Sequence, residues 1–299
     1  MDVIWARAAD SKTSDTDLFF EAWTAYCNYW QNAGGTPIEA MDPEELTELG
    51  PRSPTHVQEV LLSYIENSRP LLKTLEIIAI EQPFVVPLSG SEANKNFYIG
   101  RIDKVFRRSD RRLGGADHKT TTAYQGKGSE ISFKPSWVSS WSGNPQIDGY
   151  LFAVHCLYQE DPFFWIDGVL LHKGIIDRFT RIPLERRFEM LDSWLWRTNY
   201  HVQVIQQHTK VLYGLREAGT ASELKVLPCF PCGRHCSTFS SCPYRDLCRA
   251  RANPESYHPE EEPPIGYTKQ EWSPLLVDER LISKETLDTA MENPVQKAE

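Results

Sequence analysis

The sequence lacks any run of 18 or more apolar residues, so it predicts no membrane-spanning helix. The opening segment, Met-Asp-Val-Ile-Trp-Ala-Arg, has neither the basic stretch nor the long apolar stretch of a secretory signal peptide. An excess of positive charge is also missing, since the net charge is −9, whereas a nucleic-acid-binding protein usually carries a basic patch. These absences favour a cytoplasmic protein and weigh against a strongly basic one.

Positive charge is nevertheless concentrated in three groups of arginines. Each group could bind phosphate, or it could simply form a solvated face of the protein. The groups are Arg107, Arg108, Arg111 and Arg112, then Arg178, Arg181, Arg186 and Arg187, then Arg245, Arg249 and Arg251.

Hydrophobic periodicity divides the chain into helices followed by strands. Predicted helices cover 14–32, 55–67 and 184–216, and a further helix begins at Asn144 and Pro145. Predicted strands cover 75–88, 96–107 and 112–120, and a hairpin joins 163–172 to 175–183. The segment 33–53 is rich in Gly, Pro, Glu and Thr and is expected to be a loop.

This order of elements predicts an α/β or α+β fold, in which a mixed central sheet is flanked by helices. We expect one domain over residues 1–253. Residues 254–299 are rich in Pro and Glu and are expected to form an irregular acidic tail.

Two short stretches, Gly-Arg-Ile-Asp (100–103) and Asp-His-Lys-Thr (117–120), carry the residues with the clearest chemistry. Residues two apart in a strand point to the same face, so Asp117 and Lys119 should project together. A hairpin through the polar loop after Arg107 would bring Asp103 beside Asp117. The alternative is that Asp117 and Lys119 form an ordinary surface ion pair.

Two carboxylates and an ammonium on one surface suit phosphodiester hydrolysis. Mg²⁺ and Mn²⁺ favour carboxylate oxygens and water, so Asp103 and Asp117 are candidate metal ligands. A metal held there would polarise a phosphate and acidify a bound water. Lys119 could orient that water or stabilise the negative charge of the transition state.

Gln146 and Tyr150 are four residues apart in a predicted helix and therefore share a face. They could position a phosphate or order the attacking water. Tyr150 also fits a helix face that is simply buried in the core.

In this order, Gly-Arg-Ile-Asp (100–103), Asp-His-Lys-Thr (117–120) and Gln-Ile-Asp-Gly-Tyr (146–150) resemble the RecB/AddB-type branch of the PD-(D/E)XK nucleases. This branch includes many phage-encoded proteins and the CRISPR-associated exonucleases, and the resemblance covers about residues 15–250. It implies a restriction-endonuclease-like core and a DNA nuclease, in the host cytoplasm if the protein is phage-encoded.

The resemblance also implies roles for individual residues. Asp103 and Asp117 would bind the divalent metal, Lys119 would be catalytic, and Gln146 and Tyr150 would help to position nucleic acid. Glu81 stands where the family often has an acidic residue, although it equally fits an edge-strand surface charge. The sequence departs from the family before Ser14, where relatives usually have a helix whose histidine joins the metal site.

Five cysteines lie within one short segment: Cys229, Cys232, Cys236, Cys242 and Cys248. Such a cluster without an export signal favours a metal site, either tetrahedral zinc or an iron–sulfur cluster, over disulfides or free thiols. The ending Cys-Pro-Tyr-Arg-Asp-Leu-Cys (242–248) resembles the segment that holds a 4Fe–4S cluster in many members of this branch. The resemblance therefore implies 4Fe–4S, with Zn²⁺ as the alternative.

The sequence supports three functional interpretations. The first is a Mg²⁺- or Mn²⁺-dependent nuclease that acts on DNA ends or single strands, with a helicase or recombination protein as a candidate partner. The second is a nucleic-acid-binding module that has lost catalysis, as the missing histidine helix would allow. The third is a metal-stabilised interaction protein, which the cysteine segment and the acidic charge would suit.

Overall fold

A computed structural model of the chain describes residues 1–8, 10, 12–88, 96–228 and 253. These residues form an α+β fold in which a mixed five-stranded sheet has helices on both faces. They divide into two compact units, and the boundary falls between Trp194 and Leu195, within the last helix. Over the ranges just given, no helix is both long enough and apolar enough to cross a lipid bilayer.

The predicted helices and strands occur in the predicted order, together with short elements that were not predicted from the sequence, among them the helix at Asp2–Ala8. The helices are α1 (Asp2–Ala8), α2 (Asp15–Asn32), α3 (Pro43–Glu48), α4 (Pro54–Leu72), α5 (Pro135–Ser139), α6 (Pro145–Tyr158) and α7 (Phe188–Glu217). The strands are β1 (Glu76–Pro87), β2 (Phe97–Arg107), β3 (Leu113–Thr121), β4 (Tyr124–Gln125), β5 (Ser132–Phe133), β6 (Phe163–Leu170) and β7 (Phe179–Leu184). Short 3₁₀ turns lie at Ile38–Ala40, Gly50–Arg52 and Gly128–Glu130.

The five-stranded sheet has the order β1-β2-β3-β6-β7. The first three strands form an antiparallel meander, and β7 is antiparallel to β6, so the predicted hairpins between β2 and β3 and between β6 and β7 are confirmed. β6 runs parallel to β3. A parallel neighbour requires a crossover connection, and α6 lies within it.

Each face of the sheet has its own hydrophobic core. On one face α1, α2 and α4 bury side chains such as Trp5, Leu18 and Tyr64 against the strands. On the other face α6 buries Ile147, Tyr150, Leu151 and Val154, whereas Leu157, which has the same helical spacing, is exposed. The start of α7 adds Leu191 to this second core.

Local sequence fixes where α6 begins. The Asn144 side chain accepts a hydrogen bond from the backbone N–H of Gln146, and Pro145 occupies the first turn, where its missing N–H costs nothing. Gln146 is therefore held in the first turn of α6, one turn before Tyr150.

The prediction of a loop over 33–53 is wrong in part, because α3 lies within it. Asp42 and Glu45 form a capping box that stabilises this short helix, a signal that the Gly- and Pro-rich composition obscures. The prediction also missed the small β4–β5 sheet and α5.

The second unit contains the rest of α7 and the turns that follow it. The Asn253 side-chain amide donates hydrogen bonds to the carbonyl oxygens of Ala221 and Leu224, each at 2.7 Å. The predicted cysteine ligands and the whole of the predicted tail lie outside the described residues.

Candidate active site

Asp103 and Asp117 lie where β2 and β3 separate. The ladder between these strands begins at Arg107 and Leu113 and ends at Lys104 and Ala116, so the two aspartates are the next residues along each strand. The Asp103 carboxylate accepts a hydrogen bond from the His118 backbone N–H at 3.1 Å. A side chain thus satisfies a backbone donor at the point where strand pairing stops.

The other side of β2 is irregular at the same position. Glu81 in β1 has a left-handed φ of 54° and lies between two ladder pairs that flank Asp103 on β2. Ile102 and Val105 are three residues apart yet both pack into the α6-side core, although regular alternation would place them on opposite faces. The alternation of side chains between the two faces of β2 is therefore interrupted near Asp103. As a result, the Asp103 carboxylate does not lie where a regular strand would place it.

Asp117 and Lys119 share the face of β3 that lies towards α6. The Lys119 ammonium is 2.5 Å from Asp117 Oδ2. The Asp117 side chain is buried, and Oδ2 meets the ammonium without a well-oriented hydrogen bond. The structure thus brings together the two acids and the amine that the sequence singles out.

The two aspartates have opposite shifts in pKa. Burial, hydrogen bonding to Asp103 and the negative charge of Asp103 raise the pKa of Asp117 to about 7, against the attraction of Lys119. Burial would also raise the pKa of Asp103, but the hydrogen bond from Asp117, the charge of Lys104 and the His118 N–H lower it. Two carboxyl groups in contact resist ionising together, so a cation bound between them would relieve a repulsion that is already present.

Gln146 and Tyr150 lie on α6 above these acids. Gln146 Nε2 donates a hydrogen bond to the Tyr150 hydroxyl at 2.9 Å. Burial raises the pKa of Tyr150 to about 12, with the hydrogen bond from Gln146 opposing and the charges of Asp117 and Asp103 adding to the rise. Tyr150 therefore stays protonated and can act as a neutral hydrogen-bond donor beside the carboxylates.

Glu81 joins the same group of charges through a neighbour. Its carboxylate is 2.6 Å from Arg101 Nε, and both side chains are partly buried. Burial and the negative charge of Asp2 raise the pKa of Glu81, with Arg101 opposing and Asp103 adding to the rise. Glu81 is therefore not an isolated surface charge, although it contacts an arginine rather than the two aspartates.

Three participants were missed by sequence reasoning. Lys104 is completely buried, and its ammonium lies 2.7 Å from Asp2 Oδ1 and 3.7 Å from Asp103 Oδ2. Trp141 places its ring 5.8 Å from the Lys119 ammonium, within the range of a cation–π contact. Spacing in the sequence gives no signal for Asp2 or Trp141, because packing alone places them at the site.

A buried polar network supports β3 from the opposite face. The Tyr64 hydroxyl accepts a hydrogen bond from Trp5 Nε1 at 2.9 Å, contacts His118 Nε2 at 3.0 Å and donates to Asp167. Burial would raise the pKa of Asp167, but its contacts with His118, Arg181 and Tyr64 lower it. Since His118 lies between Asp117 and Lys119, this network fixes the strand that carries both residues.

Most arginines of the first two predicted groups are engaged in ion pairs. Arg107 forms a bidentate ion pair with Glu160, in which both N–O distances are 2.8 Å. Arg186 Nε lies 2.6 Å from Oδ1 of the buried Asp148. The remaining pairs are Arg108–Asp110, Arg112–Glu185, Arg178–Asp177 and Arg181–Asp167. Because carboxylates already neutralise these guanidinium groups, the pairs argue against phosphate-binding patches at these arginines.

The donor set suits a cation that keeps part of its water shell. Within the part of the chain that the structure describes, no group of three or more His, Cys, Asp or Glu side chains has the geometry of a complete metal cage. Asp103 and Asp117 supply two carboxylates, and Mg²⁺ is commonly held by one or two carboxylates with water at its other positions.

No protein-family model matches the chain, and no curated protein matches it either. The geometry of the site and the motifs therefore carry the inference of function.

Proposed function

We propose that this chain is a Mg²⁺- or Mn²⁺-dependent nuclease that hydrolyses phosphodiester bonds in DNA. The observation that carries the proposal is the convergence of Asp103, Asp117 and Lys119 at the place where β2 and β3 separate. Two carboxylates in contact, with an amine 2.5 Å from one of them, form a site for a cation and a phosphate.

The fold supports the same proposal. A meander of three strands, then α6, then a strand parallel to β3 is compatible with the restriction-endonuclease-like core that the motif resemblance implies. Fold alone does not define function, so the proposed nuclease activity depends mainly on the positions of the side chains. We infer membership of the RecB/AddB-like branch of the PD-(D/E)XK nucleases from both together.

The chain's own residues would prepare the substrate. Asp103 and Asp117 hold the divalent cation, which when bound supplies a Lewis acid for the phosphate and lowers the pKa of a coordinated water. Lys119 then exchanges part of its contact with Asp117 for the phosphate, where its charge stabilises the transition state. Tyr150 donates a hydrogen bond to a phosphate oxygen or to the attacking water, and Gln146 orients the Tyr150 hydroxyl.

DNA ends or single strands are the substrates that we infer, and a helicase or recombination protein is the partner that would supply them. The cysteine segment would hold a 4Fe–4S cluster, or Zn²⁺ in its place, and would fasten the C-terminal region structurally. An absorption spectrum of anaerobically purified protein tests this cofactor, because an iron–sulfur protein is brown and a zinc protein is colourless.

The test of the nuclease is cleavage of linear and single-stranded DNA by the full chain in Mn²⁺. We expect cleavage that requires the metal, and we expect Lys119→Ala to slow it by about a hundredfold or more. Lys73→Ala is the matched control, because it removes the same charge after the end of α4, away from the acids.

Full activity of Lys119→Ala would contradict the proposed role of this lysine. DNA binding that is unchanged in EDTA, with no cleavage in any metal, would instead identify a non-catalytic binding module. Absence of DNA binding at low salt, where phosphate contacts are strongest, would exclude both.

A further inference from the structure

Lys104 is an unusual component of the site. Its side chain is completely buried, although lysine is almost never fully buried unless it is paired. The ammonium lies between Asp2 of α1 and Asp103 of β2, at 2.7 and 3.7 Å. Removing such a charge from water is unfavourable unless opposite charges compensate for it, and here the two aspartates provide that compensation.

The position of the ammonium resembles that of a metal ion in a two-metal site. In such sites two neighbouring cations clamp the attacking and leaving oxygens. Here the Lys104 ammonium lies 2.7 Å from Asp2 Oδ1 and 3.7 Å from Asp103 Oδ2, so a cationic group already stands between two carboxylates beside the proposed metal position. A second metal between Asp2 and Asp103 would have to occupy the volume of the ammonium.

We propose that the Lys104 ammonium replaces a second metal ion, so that this site binds a single divalent cation between Asp103 and Asp117. The inference rests on the proposed function, since it assigns the number of metal ions to that same site. Lys104 is then a positioning residue that acts through the two carboxylates it neutralises.

The balance of charge supports one ion. The cluster contains four carboxylates and three cationic side chains: Asp2, Glu81, Asp103 and Asp117 against Arg101, Lys104 and Lys119. The Met1 amino group also interacts electrostatically with Asp2, Lys104 and Asp103. One divalent cation and one phosphodiester together add a single positive charge to this cluster. A second divalent cation would add two more positive charges to a partly buried site, which is unfavourable at low dielectric.

Replacing Lys104 with methionine tests the idea directly. Lys104→Met removes the charge and keeps an unbranched apolar side chain, which ends one atom short of the position of the ammonium. Asp2 and Asp103 would then face each other without a cation between them. We expect this variant to bind two Mn²⁺ ions at the site where the wild type binds one.

The measurement is the number of Mn²⁺ ions bound by the full chain, obtained from calorimetry and from electron paramagnetic resonance of the free ion. Asp103→Asn provides the background, because Mn²⁺ bound elsewhere on an acidic surface persists in that variant. The site count is the difference between each protein and this background. Two neighbouring Mn²⁺ ions would also give the broadened signal of a spin-coupled pair.

Two further variants control the result. The double variant Lys104→Met/Asp2→Asn should return to one ion, because it removes the second carboxylate as well. Lys73→Met changes the same residue type away from the acids and should keep the wild-type count. If circular dichroism shows that Lys104→Met is unfolded, Lys104→Gln removes the same charge with a polar side chain.

The outcomes separate this inference from the proposed nuclease. A count of two in an active wild type, or a count of one in a folded Lys104→Met, would overturn the role of Lys104 alone. A count of one without cleavage of DNA in any metal would count against the nuclease but not against the single-ion site. A wild-type count of zero would refute both.

Discussion

The pKa of Asp117 gives a prediction about stability that does not depend on catalysis. The folded protein holds this pKa at about 7, mainly through burial and contact with Asp103, whereas an unfolded aspartate has a pKa of about 3.9. Between these values the folded state binds more protons than the unfolded state. Asp117 therefore makes the free energy of unfolding fall as the pH rises through this window.

Substituting Asp117→Asn removes that penalty and keeps the shape of the side chain. A shift of about three pH units corresponds to about 4 kcal/mol, fully present only above the folded pKa. In buffer without divalent cations, the variant should therefore be more stable than the wild type at pH 8. Loss of the contact with Lys119, which is partly exposed, subtracts about 1 kcal/mol or less from the gain.

The difference in free energy of unfolding between Asp117→Asn and the wild type at each pH separates the effect of Asp117 from that of neighbouring titratable groups. His118 has a lowered pKa, chiefly because it is buried, so it makes stability fall with acid below pH 6.5 in both proteins. Asp103 has a lowered pKa and stays ionised over the same range. The difference in free energy of unfolding between variant and wild type should grow from pH 5 to pH 7 and level off above it.

The assay is urea unfolding followed by tryptophan fluorescence at pH 5, 6, 7 and 8. Saturating Mn²⁺ should remove most of this difference at pH 8, because metal at a hundred times its Kd stabilises the wild type by about 2.7 kcal/mol and the variant lacks one ligand. A difference that does not change between pH 5 and pH 8 would refute the reasoning, since it would mean that Asp117 ionises normally in the folded protein.

Three further substitutions test contacts that stabilise the structure around the site, and each is measured by urea unfolding. Tyr64→Phe should cost about 1–3 kcal/mol, because it removes a buried hydroxyl that several polar side chains contact; an unchanged midpoint would contradict this network. Gly149→Ala should cost about 1–3 kcal/mol, because the new Cβ would lie 2.5 Å from the Tyr98 hydroxyl oxygen; a neutral effect would mean that α6 is free to move. Arg186→Met should cost about 3–5 kcal/mol by removing the buried partner of Asp148, and the double variant with Asp148→Asn should recover part of it; equal losses in both would exclude a coupled pair.

Sequence reasoning succeeded where the relevant contacts are local. The alternation of side chains along a strand sufficed to predict that Asp117 and Lys119 project together, and the capping signal at Asn144 located the start of α6. The short connection between β2 and β3 made it possible to predict that Asp103 approaches Asp117. These inferences need only the geometry of one strand, one hairpin or one helix.

The rest of the site could not be predicted, because it depends on contacts between distant parts of the chain. Lys104 looks like a surface lysine in the sequence, and only the packing of α1 against the sheet buries it beside Asp2. The left-handed backbone at Glu81 is equally invisible, since non-glycine residues rarely adopt this conformation. Both features change which charges meet at Asp103.

The stretch from Asp117 to Lys119 explains how one strand can serve both chemistry and stability. Alternation directs Asp117 and Lys119 towards α6, and it must therefore direct His118 into the opposite core. There His118 lies 3.0 Å from both the Tyr64 hydroxyl and Asp167 Oδ2, while its backbone N–H holds the Asp103 carboxylate. The residue between the two functional side chains thus ties β3 to α4 and β6 through its ring, and to β2 through its backbone. A site formed where strand pairing ends would otherwise lack a rigid frame, and this arrangement supplies one without placing any further group among the reacting atoms.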